Sequence, residues 1–310
     1  MSVQRHTPAD FRDLGLLALL WGSAFALTDM AVETMTPAWS VAIRMFVSAL
    51  VLVPFMLSKR ERLPRKPAMW GWLTALALFG NLVPFFLLSW SVMLINSGLA
   101  AILVGVMPLI TLVLARLFVP GERLTANRIA GFVLGLVGLV IVVGPDALTT
   151  VSTTDEMPLL GELLALGAAF SFAVNGIIAR RAPPAPLYTK ACVTTGLAGL
   201  LILPFAWGKA PLDLDAISLS SWAAVITLGA LPVGYAAVVY FRLVESAGPS
   251  FMAMTNYLVP FLALVIGALF LDETFTLFAL LGLAIILTGI ALSEIRRKSG
   301  PADNQPPSRA

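Results

Sequence analysis

The side chains of this chain that could carry chemistry are few and mostly uncharged. The only histidine, His6, lies near the N-terminus, and the only cysteine, Cys192, lies inside an apolar segment. A disulfide within the chain, a His/Cys metal site and a histidine-based catalytic triad are therefore excluded. No GxxxxGK[ST] loop occurs either, so the sequence lacks the phosphate-binding loop that ATP-driven proteins of that type use. We expect no cofactor, no metal and no enzymatic activity.

Polar and aromatic residues gather around four prolines that interrupt apolar segments: Pro84, Pro108, Pro232 and Pro260. Backbone groups freed by a proline need protein or water as partners inside a bilayer, so proline interruptions at matching places predict a cavity and its hinges. Amides, hydroxyls and aromatic rings beside such breaks are suited to binding a small molecule. The candidate binding residues are Trp21, Ser23, Asn81, Trp90, Met107, Asn175, Tyr235, Tyr240, Asn256 and Tyr257.

Each of these features also has a structural interpretation. A mid-helix proline is equally typical of a packing kink. Trp21, Trp90 and Tyr240 are also typical of an interfacial aromatic belt or of helix packing. Asn81 and Asn256 would also serve as hydrogen-bonding groups between helices. Four prolines at corresponding places in two halves favour the cavity.

Two charged residues lie well inside apolar segments. Arg44 is seven residues into its predicted helix, which is about 10 Å along the axis at 1.5 Å per residue. Asp29 lies at a similar depth in the preceding helix, and a lone charge there costs a few kcal/mol. The pattern predicts a structural ion pair between them, the alternative being that Arg44 binds a ligand carboxylate or that Asp29 takes up a proton. Glu162 and Glu245 lie near helix ends and are expected to be solvated.

The elements that must position these residues are apolar segments of membrane-spanning length. Hydrophobic residues make up 59% of the chain and charged residues only 12%, about half the charged share of a soluble domain. The sequence therefore predicts an all-α, multi-pass membrane protein. Ten segments of about 20 residues are predicted at 14–33, 38–58, 69–92, 97–119, 126–144, 159–179, 187–207, 221–243, 248–271 and 276–294.

The first segment imitates a signal peptide, with Arg12 before an apolar run and Ala24-Phe25-Ala26 at a cleavage-like position. However, Leu17-Ala18-Leu19 recurs in the sixth segment as Leu164-Ala165-Leu166. Cleavage would remove one copy of a helix that the second half keeps. We therefore predict that the first segment is retained as a span.

The second half of the chain repeats the first at an offset of about 150 residues. Each single match is weak in so apolar a chain, but together they indicate an internal duplication. The predicted organisation is a first repeat at 14–144 and a second at 159–294, with an outer linker at 145–158. The tails are 1–13 and 295–310, and the latter is predicted to be disordered. The recurring residues include Glu122 and Glu273, Gly131 and Gly282, Gly138 and Gly289, and Pro108 and Pro260. The glycine run is more typical of close helix packing than of ligand contact.

The distribution of Lys and Arg predicts the orientation. If both termini are cytoplasmic, the outer loops hold only Lys209, while the loop 59–66 alone holds five basic residues on the inner side. Basic residues near span ends are retained in the cytoplasm. With five helices in each half, an odd number, the two halves enter the membrane from opposite sides. Inverted repeats of this kind are typical of secondary transporters.

The sequence resembles the EamA-type branch of the drug/metabolite transporter superfamily over about residues 14–294. The resemblance rests on Trp21-Gly22-Ser23, on Arg44, and on the run Pro108, Glu122, Gly131 and Gly138 with its second copy. It implies ten transmembrane helices in two inverted five-helix repeats around a central cavity, and usually export of amino acids, related metabolites or toxic cations. Within that branch the chain looks most similar to aromatic amino acid exporters. The second repeat has Thr194 or a neighbour at the position of Arg44, so any role of that arginine belongs to one half.

These observations together predict an inner-membrane secondary transporter that exports small amphipathic metabolites, above all aromatic or bulky apolar amino acids, by alternating access. Its expected partners are a small-molecule substrate and the lipid bilayer, without nucleic acid, and a monomer is favoured. One alternative is a multidrug or cationic-toxin exporter, which would need deep carboxylates. An integral-membrane enzyme would need positioned acids, bases or nucleophiles. A structural or assembly protein would not need breaks in both halves.

Overall fold

The computed structural model describes residues 7–118, 126–143, 157–209, 212–252 and 254–294, and the regular structure in those ranges is helical throughout. A single turn, Pro249–Met252, precedes the ninth helix. The first half contains α1 (Pro8–Val32), α2 (Pro37–Ser58), α3 (Pro67–Ser91), α4 (Ser97–Phe118) and α5 (Ala126–Val143). The second half contains α6 (Pro158–Arg181), α7 (Leu187–Lys209), α8 (Leu219–Ala247), α9 (Thr255–Phe270) and α10 (Leu277–Glu294).

Seven of these helices, namely α1 to α4 and α6 to α8, are long and apolar enough to cross a membrane. The other three contain the shorter apolar stretches Ile129–Val142, Thr255–Phe270 and Leu277–Leu292. The chain is therefore a multi-pass membrane protein, and a total of ten spans stays a prediction. Glu122, most of the linker 145–158 and the tail 295–310 lie outside the described residues.

The helix α1 begins at Pro8, six residues earlier than the predicted segment. Thr7 and Asp10 form a capping box there, in which the Asp10 carboxylate accepts a hydrogen bond of 2.7 Å from the Thr7 backbone N–H. Capping boxes satisfy the free N–H groups at a helix start. The apolar pattern could not locate this start, because the first turn is polar.

Two of the predicted interruptions are π-helical turns. In α3 the turn Leu78–Leu82 directly precedes the helical segment that contains Pro84, and in α8 the turn Gly229–Tyr235 contains Pro232. A proline removes a backbone donor and crowds the preceding turn, and a π turn accommodates this by adding a residue. The Ser171 hydroxyl of α6 donates a hydrogen bond of 2.9 Å to the Phe79 carbonyl in the first π turn. The two turns correspond under the sequence offset of 150.

The break before Pro108 in α4 packs against Pro260 of α9. The helix α4 consists of Ser97–Val104 and Met107–Phe118, with a break at Gly105 and Val106 just before Pro108. A Cβ atom at Gly105 would lie 3.1 Å from Cγ of Pro260, so the proline ring packs against this break. The prediction that Pro260 interrupts the ninth helix is wrong, because α9 runs without a break from Thr255 to Phe270. The α-helical geometry tolerates this proline inside a packed bundle.

Pairs of antiparallel helices join the two halves. In α5 and α10, Gly131 lies against Gly289 and Gly138 lies against Gly282. An added Cβ at Gly138 would lie 2.8 Å from the Gly282 carbonyl oxygen, so the predicted packing role of these glycines is confirmed. Exchanging each residue for its copy 151 positions away turns one glycine pair into the other. The contact is therefore symmetric between the halves.

The helices α2 and α7 pack in the same way. An added Cβ at Gly199 would lie 3.1 Å from the Phe46 ring, and one at Gly196 would lie 3.9 Å from Cβ of Ala49. At an offset of 150, Phe46 corresponds to Gly196 and Ala49 to Gly199, so this pair is also symmetric. Two separate helix pairs are thus symmetric under exchange of the two halves, one at an offset of 151 residues and the other at 150.

Candidate functional site

The π turn of α3 places one predicted amide beside another. Gly80 has no side chain, and the amide of Asn175 on α6 lies in that space, since an added Cβ at Gly80 would be 2.6 Å from its Oδ1. Asn81 follows Gly80 in the same turn. The Asn81 side chain is partly exposed and makes no hydrogen bond to any other described residue. An amide free to donate and accept at mid-helix is suited to orienting a polar ligand.

An aromatic group lies between α1 and α8. The rings of Trp21 and Tyr240 are 6.1 Å apart at an angle of 37°, and Tyr240 also contacts Phe241 at 5.4 Å. Tyr235, the last residue of the α8 π turn, packs against the same apolar cluster as Trp21. Sequence reasoning predicted all three as binding residues, and the structure brings them together. In contrast, the Ser23 hydroxyl donates to the Leu20 carbonyl at 3.0 Å within α1.

The crossing of α4 and α9 brings together another part of the predicted set. Met107 and Tyr257 both pack, partly buried, against one apolar core cluster. Asn256, beside Tyr257 in the first turn of α9, is also partly exposed. These residues flank the contact between Gly105 and Pro260. The crossing is thus the place where a predicted break and predicted binding residues coincide.

Trp90 does not join any of these groups. Its side chain is 44% exposed, close to the end of α3. Its ring contacts Phe86 at 6.0 Å, and Phe86 in turn contacts Phe205 of α7 at 5.5 Å. This exposed aromatic cluster favours the interfacial-belt interpretation of Trp90 over ligand contact.

The predicted ion pair between Asp29 and Arg44 is wrong. Arg44 is only 1% exposed, and its guanidinium donates to the Thr28 hydroxyl at 3.3 Å. It also donates to the Phe85 carbonyl at 3.0 Å and the Ser89 hydroxyl at 3.4 Å. The physical reason is the helical repeat, since adjacent residues on α1 point about 100° apart. Thr28 faces Arg44, and Asp29 therefore points elsewhere.

Hydrogen bonds join the two halves at the end of the molecule where α4 begins. The Glu273 carboxylate accepts from the backbone N–H groups of Ser97 at 2.7 Å and Gly98 at 3.1 Å. Nearby, the Ser91 hydroxyl donates to the Gly161 carbonyl at 2.8 Å. Glu162, expected to be solvated, is only 4% exposed there, because α6 packs against α3 and α4 at this end. Sequence reasoning found the repeat of Glu273 but not its contact.

At the N-terminal end of α1, charged and polar groups that the sequence analysis did not predict join α1 to α8. Asp13 forms ion pairs with Arg242 at 2.8 Å and with Arg12 at 2.9 Å. The Ser246 hydroxyl donates to the Asp10 carboxylate at 2.7 Å. The sequence does hint at this contact, since Asp10 and Asp13 are three residues apart and therefore lie on one face of α1. No group of three or more His, Cys, Asp or Glu in the part of the chain that the structure describes could hold a metal ion.

Comparison with known proteins identifies relatives along nearly the whole chain. A family model described as the EamA-like transporter family matches residues 14–144 and again residues 159–295. Similar curated proteins include the uncharacterized transporter YoaV of Bacillus subtilis, 25% identical over 90% of this chain and 95% of that protein. The uncharacterized inner membrane transporter YedA of Escherichia coli is 26% identical over 94% and 92%. The uncharacterized protein PA1977 of Pseudomonas aeruginosa is 31% identical over 84% and 87%.

A solved structure shares the fold. It is described only as the crystal structure of a protein, and it matches with a TM-score of 0.66 and 22% identity. The match covers 93% of this chain and 97% of the other. The similarity in fold thus spans both halves of the chain, each of which also matches the family model.

Proposed function

Because this membrane transporter belongs to the EamA-like transporter family, we propose that it exports small amphipathic metabolites across the inner membrane by alternating access. The substrates that fit best are amino acids with aromatic or bulky apolar side chains. The similar protein YedA is named an inner membrane transporter, which supports the location.

The observation that carries the substrate class is the presence of neutral amides at one π turn and of an aromatic group next to the other. Asn175 packs at Gly80 beside Asn81, and Trp21 packs on Tyr240 across α1 and α8. Neutral amides can bind the carboxylate and ammonium of a zwitterion, while the rings accommodate its apolar side chain. A zwitterion carries its own compensating charge, so no buried ion pair has to be built for it.

The packing between the halves supports alternating access. The antiparallel, exchange-symmetric contacts of α5 with α10 and of α2 with α7 favour two repeats of opposite membrane orientation. The breaks in α3, α4 and α8 give each half a point at which it can bend. The hydrogen bonds that the backbone N–H groups of Ser97 and Gly98 donate to Glu273 join the halves at one end. We interpret this arrangement as a state closed toward the outside.

Flux through purified protein in liposomes tests this function. Radiolabelled phenylalanine and tryptophan should move at least fivefold faster than in empty liposomes. Trp21→Ala and Asn81→Ala should each remove most of that flux without lowering protein yield. Trp207→Ala is the matched control, because Trp207 is a largely exposed tryptophan whose ring contacts Trp39 and none of the predicted binding residues. If a broad amino acid panel shows no flux while a quaternary cation or a nucleotide sugar moves readily, the substrate assignment is wrong.

A further inference from the structure

The guanidinium of Arg44 is a buried positive charge that no carboxylate contacts within the described ranges. Its partners are the hydroxyls of Thr28 and Ser89, the Phe85 carbonyl, and the Phe85 ring, whose centroid lies 4.3 Å from Cζ. All four are neutral groups. Arginine stays protonated in proteins, so its charge has no ion-pair partner among these contacts.

The surrounding face of α2 adds further unsatisfied polar atoms. Ser40, Arg44 and Ser48 follow one another at intervals of four residues, so they lie on one side of the helix. All three are buried, and Oγ of Ser40, Nε of Arg44 and Oγ of Ser48 have no hydrogen-bond partner in the described part of the chain. Buried polar atoms in proteins are nearly always paired. This face of α2 therefore carries polar atoms at three successive helical turns without protein partners.

Arg44 also lies between the two π turns. Its partner Phe85 comes four residues after Asn81, and the Phe85 ring is 5.5 Å from Phe172, three residues before Asn175. On the other side, Gly229 begins the α8 π turn and packs directly on the Arg44 backbone. Asn81 is about 6 Å along α3 from Phe85 at a rise of 1.5 Å per residue, and we take the guanidinium to be on the order of 10 Å from the site amides.

We propose that Arg44 determines the charge specificity of the transporter by giving the binding region a positive potential. This inference rests on the proposed function and deepens it. Substrates that carry a carboxylate are favoured, and their carboxylate is oriented toward α3 and α6, whereas organic cations are disfavoured. At about 10 Å and an effective dielectric constant of about 20, one unit of substrate charge changes binding by on the order of tenfold.

The test uses three indole compounds of different net charge in proteoliposomes held at zero membrane potential: indole-3-propionate, tryptophan and tryptamine. The measured quantity is the ratio of indole-3-propionate flux to tryptamine flux, after subtraction of empty-liposome leakage. Thr28→Asp and Ser89→Asp each place a carboxylate next to the guanidinium without removing it. Thr28→Asn and Ser89→Asn are matched controls of similar size without charge.

We expect both aspartate variants to lower the flux ratio by on the order of a hundredfold relative to their asparagine controls, because indole-3-propionate and tryptamine differ by two units of charge. Arg44→Met should lower it similarly, and Arg44→Lys should keep it near the wild-type value. A purely structural role would reduce all three fluxes together and leave the ratio unchanged. A ratio within twofold of the control in folded Thr28→Asp or Ser89→Asp protein overturns the inference. If the wild type moves none of the three compounds, the proposed function itself fails.

Discussion

The Glu273 carboxylate accepts a hydrogen bond of 2.7 Å from the backbone N–H of Ser97, which joins the α9–α10 loop to the first turn of α4. Asn96 occupies the N-cap position of α4 but makes no capping hydrogen bond with its side chain. Instead, the Asn96 amide donates to the Thr274 carbonyl at 3.3 Å. A carboxylate from the other half of the molecule therefore satisfies the helix N-terminus, where negative charge is stabilising.

Glu273→Gln should weaken this closure and lower stability by about 1–2 kcal/mol, because the charge-assisted bonds to backbone N–H groups become neutral ones. The thermal midpoint in detergent measures the stability. Accessibility can be measured in a Cys192→Ala background with Ser97→Cys, since residue 97 is fully buried and keeps its backbone N–H. An impermeant thiol reagent should label it faster when Glu273 is replaced.

Glu33→Gln is the matched control, since Glu33 is an exposed glutamate at the end of α1 with no hydrogen bond to the described residues. It should change neither the midpoint nor the labelling rate. Equal labelling in the Glu273→Gln protein and its parent would show that this contact does not control access.

Gly80→Ala should disrupt the candidate site without adding any polar group. The new Cβ would lie 2.6 Å from the Asn175 amide oxygen, so α3 and α6 must separate or the amide must turn away. We expect amino acid flux to fall at least fivefold, with stability lowered by about 1–3 kcal/mol, as is typical of overpacking. Initial uptake rates and thermal midpoints measure the two effects.

The control for this substitution is Gly176→Ala on α6, where an added Cβ meets nothing within 4 Å. It should leave flux unchanged and raise stability slightly, because alanine favours the helix. If Gly80→Ala transports as well as Gly176→Ala, the contact at Gly80 has no part in binding.

Sequence reasoning located most helices to within a few residues because bilayer thickness fixes the length of an apolar span. For example, α2 was predicted at 38–58 and runs from Pro37 to Ser58. Sequence reasoning could not predict that the interruptions in α3 and α8 are π turns. Pro84 and Pro232 signal a break, but whether the helix kinks or takes in a π turn depends on partners such as Ser171.

Depth along a helix is readable from sequence, whereas the direction of a side chain around it is not. Asp29 and Arg44 were matched by depth, but a shift of one residue placed Thr28 opposite the arginine instead. For the same reason, the sequence could not predict which residues of the candidate site lie close together. Asn81 and Asn175 belong to different halves, and only the packing of α6 at Gly80 brings them together.

The glycine contacts between α5 and α10 should be essential for stability. At Gly138 an added Cβ would lie 2.8 Å from both the Gly282 carbonyl oxygen and the Ile286 backbone nitrogen. Because backbone atoms cannot move away as a flexible side chain can, Gly138→Ala should cost about 2–4 kcal/mol. Thermal unfolding in detergent measures it, with Gly15→Ala in open space as the control. A midpoint for Gly138→Ala as high as that of Gly15→Ala would contradict close packing there.

Opposite membrane orientation of the two halves is a prediction that reporter fusions can decide. The basic loop at 59–66 should be cytoplasmic, and five spans per half then place the start of the second half outside. A reporter that is active only in the periplasm should be active when fused after Pro145 or Lys209, and inactive after Pro64, Glu122 or Arg181. The fusion after Pro64 is decisive, because it tests the basic loop itself. Periplasmic activity at that position would mean that the halves do not have the proposed orientations, and the argument from inverted repeats to alternating access would fail with it.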